Sequence, residues 1–241
     1  MSVGENLELV RERIRRAAAA AGRDASAVRL IAVSKLQPPA AIREAYAAGQ
    51  RDFGENYVQE LSEKAEELRS VGDIRWHLIG HLQRNKVKKV APLIATVHSV
   101  DSVDLANELG KRVASAEAER AERLGGESAR LDVLVEVSIA GEAQKSGAAI
   151  DDVERVVAAV EAQPALRVRG LMCVPPQTER PEDARRFFDA LARLRDSLGG
   201  AARLPELSMG MTADLEEAVL AGATWVRVGT AIFGHRQRAS T

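Results

Sequence analysis

The sequence has few of the residues on which several classes of protein depend. Its one cysteine, Cys173, cannot form an internal disulfide or a thiolate metal cluster. The net charge of -1 argues against a protein that binds nucleic acid or a charged membrane surface. No apolar run approaches the ~20 residues of a membrane-spanning helix, and Glu5, Glu8 and Arg11 interrupt any segment that resembles a signal peptide. We therefore expect a cytoplasmic protein.

Short apolar segments alternate with helix-like segments along most of the chain. Each apolar segment is bounded by polar, Gly or Pro residues, and each is followed by a plausible helix. The eight segments are 29–35, 51–56, 76–80, 95–101, 131–141, 167–175, 205–211 and 224–230. Helices are predicted over 39–49, 102–124, 148–163 and 181–199. A further helix precedes the first strand, with Asn6 as its N-cap and Gly22 as its stop.

Eight strand-helix units predict a parallel sheet, and eight strands are the number that closes a barrel. The length of 241 residues fits one domain, because α/β barrels commonly have about 250 residues. A doubly wound open sheet is the alternative, but no glycine-rich turn follows the first strand, where a dinucleotide-binding fold needs one. We predict an α/β fold, a single (β/α)8 TIM barrel over residues 1–241 with an extra N-terminal helix.

Lys35 follows the first apolar strand, at the end where such barrels place their functional groups. It is either a solvated residue where the strand reaches the surface or a nucleophile at the mouth of the barrel. Because side chains alternate along a strand, Ile31, Val33 and Lys35 share a face that we expect to point inward. Arg227 points inward on the last strand, where a guanidinium needs a carboxylate or a ligand atom as its partner. A neighbouring cation favours the neutral amine of the lysine, which is the form that attacks an aldehyde.

The loops after strands seven and eight commonly bind phosphate in such barrels. Ser208 and Thr212 offer hydroxyl groups there, and Gly210 allows close approach of the backbone. The amides of Gly229 and Thr230 open the next helix, whose positive dipole end favours an anion. Tight turns without a ligand are the simpler interpretation of either loop alone. A lysine that forms a Schiff base, a phosphate site and an arginine for a ring nitrogen together describe a pyridoxal 5'-phosphate pocket.

Eight short motifs in the chain resemble those of the pyridoxal phosphate homeostasis proteins, which are related to the N-terminal barrel of alanine racemase. They are AVSK (32–35), FGENYVQE (53–60), WHLIGHLQRNK (76–86), HSVDS (98–102), KSG (145–147), GLM (170–172), LSMGMTAD (207–214) and VRVGTAIFG (226–234). Thr212 replaces the usual serine, and the loop 138–144 lacks an expected asparagine. The resemblance implies a Schiff base on Lys35 and an arginine, Arg227, that faces the pyridine nitrogen. It also implies that Asn56 lies near the ring and that the phosphate is held by Ser208, Thr212, Gly229 and Thr230.

Two classes of function fit such a pocket. One is a non-catalytic carrier that buffers or delivers pyridoxal phosphate in vitamin B6 homeostasis; the other is an amino-acid racemase or lyase. Racemisation needs an acid/base group on each face of the substrate, and the racemase takes its second group from another domain, which we expect to be absent after Thr241. Tyr46 is typical of packing, and Tyr57 and His81 are the remaining candidates for a second base. We predict the carrier, not an enzyme. A Schiff-base aldolase fits less well, because strand six ends in GLMCVPP without a lysine.

The expected partners are pyridoxal phosphate and apo-forms of the enzymes that use it, with no nucleic acid and no membrane. We expect a monomer, with a dimer as the alternative. The basic run 81–90 is typical of a solvated helix face, although a regulatory or cofactor-relay role remains open for Lys86, Lys88 and Lys89. No metal is expected, because the histidines lack ligand spacing: they are His77, His81, His98 and His235. Cys173 is predicted to be a buried apolar residue within strand six.

Overall fold

A closed barrel of parallel strands forms the centre of the protein. The structure is a computed structural model and describes residues 1–124, 130–141 and 146–234. Its strands are β1 Arg29–Val33, β2 Asp52–Glu55, β3 Arg75–Leu78, β4 Thr96–Val100, β5 Leu131–Glu136, β6 Leu166–Met172, β7 Glu206–Ser208 and β8 Trp225–Val228. They pair in chain order and close from β8 to β1. The predicted barrel and the positions of its eight strands are confirmed.

The barrel closes where β1 lies between β2 and β8. Ala32 is opposite Phe53 on one side and Val228 on the other, and Ile31 is opposite Arg227. Residues opposite one another in a sheet point to the same face. Ile31 and Arg227 therefore share the face that turns away from Val228, as the alternation of the sequence predicts.

Helices surround the strands. They are α1 Val3–Ala20, α2 Pro39–Ala47, α3 Val58–Glu67, α4 Val87–Val90, α5 Val103–Ser115, α6 Glu117–Leu124, α7 Val153–Glu161, α8 Arg185–Ser197, α9 Gly200–Arg203, α10 Leu215–Leu220 and α11 Thr230–Phe233. Short 3-10 segments are Ala25–Ala27, Arg69–Val71, Arg84–Lys86, Ile150–Asp152 and Pro181–Ala184. Within the described ranges, no helix is both long and apolar enough to cross a membrane.

Two helix predictions are corrected by the structure. The helix predicted over 102–124 is interrupted at Ala116, and the second part, α6, buries Arg120 so that its guanidinium donates to the backbone oxygens of Ala91 and Ile94. The N-cap of α1 is Ser2, not Asn6, because Ser2 and Glu5 form a reciprocal capping box. Asn6 lies inside α1 and its amide donates to the backbone oxygen of Ile232 at 2.9 Å.

The main hydrophobic core lies between the strands and the helices. It includes alternate strand residues such as Ala32, Val226 and Val228, which are buried completely. The other face of the strands carries polar groups, among them His98, Ser208 and Arg227. Groups of this kind are costly to bury without partners, so their hydrogen bonds determine how the mouth of the barrel is arranged.

Candidate functional site

One cavity of about 740 Å³ opens at the carboxyl ends of the strands. Its walls come from the ends of β1, β2, β3, β6, β7 and β8 and the segments that follow them. This is the end at which barrels of this class place their sites. Six of the seven residues that the sequence singles out line this cavity: Lys35, Asn56, Thr212, Arg227, Gly229 and Thr230.

Lys35 lies in the turn directly after β1 and is partly buried. Val33, two residues before it, lines the same cavity. Both side chains therefore face the mouth of the barrel, which favours the interpretation of Lys35 as a site residue over that of a solvated strand end. The next residue, Leu36, has a φ of 61° and an exposed side chain.

Arg227 is a buried cation at the floor of the cavity. Its guanidinium donates to the hydroxyl of Ser208 at 2.7 Å and to the backbone oxygen of Cys173 at 2.9 Å. Burial lowers the pKa of this guanidinium, with Glu136 and Asp214 acting in the opposite direction. Among the described residues, no carboxylate lies within salt-bridge distance of Arg227. Neutral oxygens thus hold the guanidinium in place, and its charge is left for a ligand.

Cys173 lies one residue beyond the end of β6, not inside the strand as predicted. Its side chain is completely buried, which confirms the expectation of a small apolar residue. Burial raises the pKa of this thiol to about 12. The thiol is therefore not a nucleophile at neutral pH.

Ser208 is the predicted phosphate ligand that does not line the cavity. It is completely buried at the end of β7, and its hydroxyl lies between Arg227 and the Nδ1 atom of His98, 2.9 Å away. An arginine can only donate hydrogen bonds, so Ser208 accepts from Arg227, and its hydroxyl also shares a hydrogen bond with His98. The geometry makes Ser208 a support of Arg227, and its assignment to the phosphate stays a prediction.

A chain of hydrogen bonds continues from Ser208 through the barrel. His98 Nε2 lies 3.0 Å from His77 Nδ1, and His77 Nε2 lies 3.0 Å from a carboxylate oxygen of Asp52. Burial holds the pKa of His98 well below its usual value, reinforced by the positive charges around it.

Asp52 ends this chain as a carboxylate. Arg75 holds it through two hydrogen bonds of 2.7 and 2.6 Å. Burial opposes its ionisation, but the hydrogen bonds from Arg75 and His77 outweigh burial and hold its pKa well below the usual value. The orientation of Arg227 is thus fixed by a network that reaches from β8 to β2.

The side of the cavity formed by β7 and β8 offers donors for an anion. Thr212 and Thr230, two residues that carry hydroxyl groups, line it, and α11 begins at Thr230. The first amides of a helix have no acceptor within that helix. A Cβ at Gly229 would lie only 3.1 Å from the backbone oxygen of Val33, and Gly210 has a φ of 90° that favours glycine. Gly229 therefore allows a close approach of two backbones at this wall, and Gly210 allows the left-handed turn that precedes Thr212.

Asn56 contributes an unusual group to the opposite wall. Its Oδ1 atom is buried and has no hydrogen-bond partner among the described residues. Such an atom is costly unless a ligand or water bonds to it. Together with Lys35, Arg227 and the wall that contains Gly229, this oxygen atom fits a polar, anionic ligand in the cavity.

Two parts of the cavity were not anticipated as site residues. Residues 174–179 and Pro181, after β6, form one wall, and only the prolines of VPP marked that turn in the sequence. Asp214 also lines the cavity; burial raises its pKa, although its Oδ1 atom accepts a hydrogen bond from the amide of Met211 at 2.6 Å.

A neighbouring cleft of about 340 Å³ shares Asn56 with the main cavity. Lys86 and Lys89 line this cleft, whereas Lys88 does not. Tyr57 and His81 also line it and are exposed, and neither borders the 740 Å³ cavity. Tyr46 packs against the core, as predicted, and its hydroxyl donates to Asp73 at 2.7 Å.

The described residues contain no group of three or more His, Cys, Asp and Glu side chains placed to hold a metal ion. His235 and Lys145 lie outside the described residues, as do positions 142–144 of the loop 138–144. The expectation that no metal is bound stays a prediction.

The fold and this cavity define a barrel of the alanine racemase type, with a lysine after the first strand and a buried arginine on the last. Residues 6–237 match the alanine racemase N-terminal domain. The chain belongs to the pyridoxal phosphate homeostasis protein family.

The relatives cover almost the whole chain. The pyridoxal phosphate homeostasis protein of Pseudomonas aeruginosa is 46% identical over 237 residues, which are 98% of this chain and 96% of that protein. That of Aquifex aeolicus is 40% identical over 239 residues, covering 98% of this chain and 100% of the relative. PipY of Synechococcus elongatus, whose structure has PLP bound, is 36% identical with a TM-score of 0.78, over 97% of this chain and 100% of PipY.

Proposed function

We propose that this protein binds pyridoxal 5'-phosphate as a Schiff base on Lys35 and acts as a non-catalytic carrier that buffers or delivers the cofactor. The observation that carries the proposal is the meeting of Lys35, Arg227 and the hydroxyl-bearing wall in one 740 Å³ cavity. The relationship to PipY, a homologue with PLP bound, supports the choice of ligand. Apo-forms of enzymes that use the cofactor are the proposed recipients.

When bound, pyridoxal phosphate supplies an aldehyde for condensation with an amine and a ring that withdraws electrons. The amine of Lys35 would be the group that condenses with this aldehyde. Thr212, Thr230 and the amides at the start of α11 would hold the phosphate. Ser208 is left out of this set because its hydroxyl is bonded to Arg227 and His98.

Arg227 faces the pyridine nitrogen in this proposal. An arginine does not give up its proton at ordinary pH, so it leaves that nitrogen unprotonated and weakens the ring as an electron sink. The bonds to Ser208 and the Cys173 oxygen keep the guanidinium in its orientation. The pocket thereby binds the cofactor while it restrains carbanion chemistry.

The positions of the two tyrosines favour a carrier over a racemase. Racemisation needs a second acid/base group on the face of the substrate opposite the lysine. Tyr57 borders the neighbouring cleft and not the main cavity, and the hydroxyl of Tyr46 is bonded to Asp73. His81 also lies outside the main cavity, 3.5 Å from Asp101.

The proposal is tested first by colour. The protein mixed with pyridoxal phosphate should develop a visible absorption band, and Lys35→Ala should lose it while the surface control Lys111→Ala keeps it. Bands of equal intensity in Lys35→Ala and the control would contradict the assignment of Lys35.

Two further assays separate the carrier from the enzyme. The loaded protein, incubated with L- and D-amino acids in deuterated water, should show no catalytic exchange of the α-hydrogen, and it should reactivate an apo-enzyme to which it gives up the cofactor. Exchange at catalytic rates would establish the racemase or lyase alternative.

A further inference from the structure

Lys64 is a buried lysine outside the cavity. It lies in α3 and is only 5% exposed. Its ammonium donates to the Oε1 atoms of Glu55 and Glu60 at 2.8 and 2.7 Å, and to the backbone oxygen of Ser34 at 2.7 Å. These three bonds use all three donors of an ammonium group. Lysine is rarely buried unless it is paired in this way.

This ion cluster, Glu55, Glu60 and Lys64, contacts both chain neighbours of Lys35. On one side, the hydroxyl of Ser34 donates to Glu55 Oε1 at 2.7 Å, and the backbone oxygen of Ser34 accepts from Lys64. On the other side, the backbone amide of Leu36 donates to Glu60 Oε1. The backbone of Lys35 is thus held at both ends.

Leu36 needs such a restraint. Its φ of 61° makes it the one non-glycine residue with positive φ in the described part of the chain. A left-handed backbone is unfavourable for residues with a Cβ and persists only where the surroundings enforce it. Its side chain is exposed, so packing does not enforce it. The bond from the Leu36 amide to Glu60 supplies the restraint.

The ion cluster costs free energy to bury, and it is not part of the cavity lining. None of its three residues borders the 740 Å³ cavity. Burial raises the pKa of Glu55, opposed by Lys64 and Ser34, and its Oε2 atom is buried without a partner among the described residues. An apolar cluster of similar size is often as stable as a buried ion pair, so stability alone does not account for these residues.

We propose that Glu55, Glu60 and Lys64 are positioning residues that hold the turn at Ser34 and Leu36 and so aim the amine of Lys35 into the cavity. The inference rests on the proposed function of Lys35. It predicts that loosening the turn slows the condensation of Lys35 with an aldehyde more than it weakens binding of the rest of the ligand, because misplacing a reacting group costs rate.

The test uses Glu60, because Lys64→Met would leave two carboxylates without a cation and endanger the fold. Glu60→Ala removes the acceptor of the Leu36 amide, whereas Glu60→Gln keeps an oxygen there. Glu63→Ala, an exposed carboxylate on the same helix, is the matched control. Urea unfolding of each variant confirms that the protein is folded before its kinetics are measured.

Two quantities are measured for each variant. The rate constant of Schiff-base formation comes from stopped-flow absorbance after mixing with pyridoxal phosphate. Non-covalent affinity comes from titration with pyridoxine 5'-phosphate, which has an alcohol in place of the aldehyde. Glu60→Ala should slow the condensation about tenfold and change the affinity by less than about twofold, while Glu60→Gln and Glu63→Ala stay within about threefold of the wild type in rate.

The outcomes separate this inference from the proposed function. Condensation of Glu60→Ala at the wild-type rate would overturn the positioning role, and so would an equal loss of rate and affinity, which indicates general damage to the pocket. A wild-type protein that forms no coloured adduct would overturn the proposed function itself.

Discussion

Replacing His98 with glutamine should reduce the loss of stability that the protein undergoes as the pH falls below about 6.5. His98 is completely buried in the barrel, bonded to His77 and Ser208. Burial, together with the nearby positive charges of Arg227 and Arg29, lowers its pKa well below the usual 6.5. The folded protein therefore binds a proton at this position only at a lower pH than the unfolded chain does.

The direction of the effect follows from proton binding. Below pH 6.5 the unfolded chain binds a proton at position 98 that the folded protein does not, so falling pH favours unfolding. One such group changes the free energy of unfolding by at most ~1.4 kcal/mol per pH unit, where only the unfolded chain is protonated. His98→Gln removes this contribution, and the slope of its pH profile below pH 6.5 should be smaller than that of the wild type by up to this amount.

Urea unfolding at half-unit pH intervals measures both profiles. The slopes of the free energy of unfolding against pH are compared, and not its absolute values, because the substitution also changes the hydrogen bonds to Ser208 and His77. The exposed His81, changed to glutamine, is the control and should keep the wild-type slope. Identical slopes for the wild type and His98→Gln would refute the assignment of a buried neutral imidazole.

Two other predictions concern the ligand. Arg227→Gln should weaken binding of pyridoxal phosphate about tenfold or more, because a charged hydrogen-bond donor is lost from a buried site. Fluorescence titration measures this affinity, with the exposed Arg43→Gln as the control. Equal affinities of the two variants would contradict the prediction. Changing Lys86 and Lys89 together to alanine should slow association of the anionic cofactor about threefold at low salt. The control pair, Lys88→Ala with Lys111→Ala, removes the same charge and should leave the association rate unchanged. Stopped-flow measurements at two salt concentrations compare the two double variants.

The barrel could be predicted because its signal is local. Each strand is an apolar run between chain breakers, and eight of them determine the closed sheet. The direction of Arg227 followed from simple alternation with Val226 and Val228. The same logic brought Lys35 to the mouth of the barrel, where the structure places it.

The function of the Ser208 hydroxyl could not be predicted because its partners are distant in the chain. Its position after β7 suits a phosphate ligand, but Arg227 and His98 lie 19 and 110 residues away and compete for that hydroxyl. The burial of Arg120 is a similar case, since the backbone oxygens of Ala91 and Ile94 that accept from its guanidinium lie 29 and 26 residues earlier in the chain.

Two other features did have a sequence signal. Ser2 and Glu5 have the spacing of a capping box, which is more specific for a helix start than Asn6 alone. Lys64 occupies an apolar face of α3 that also contains Leu61 and Ala65. A lysine at such a position indicates a buried ion pair, and its i,i+4 partner Glu60 was identifiable.

The most direct test of the central claim is to locate the cofactor on the chain. The protein is saturated with pyridoxal phosphate, reduced with borohydride, digested and analysed by mass spectrometry. We expect one dominant phosphopyridoxyl group, on Lys35. A dominant adduct on any other lysine, or none after saturation, would contradict the assignment of Lys35.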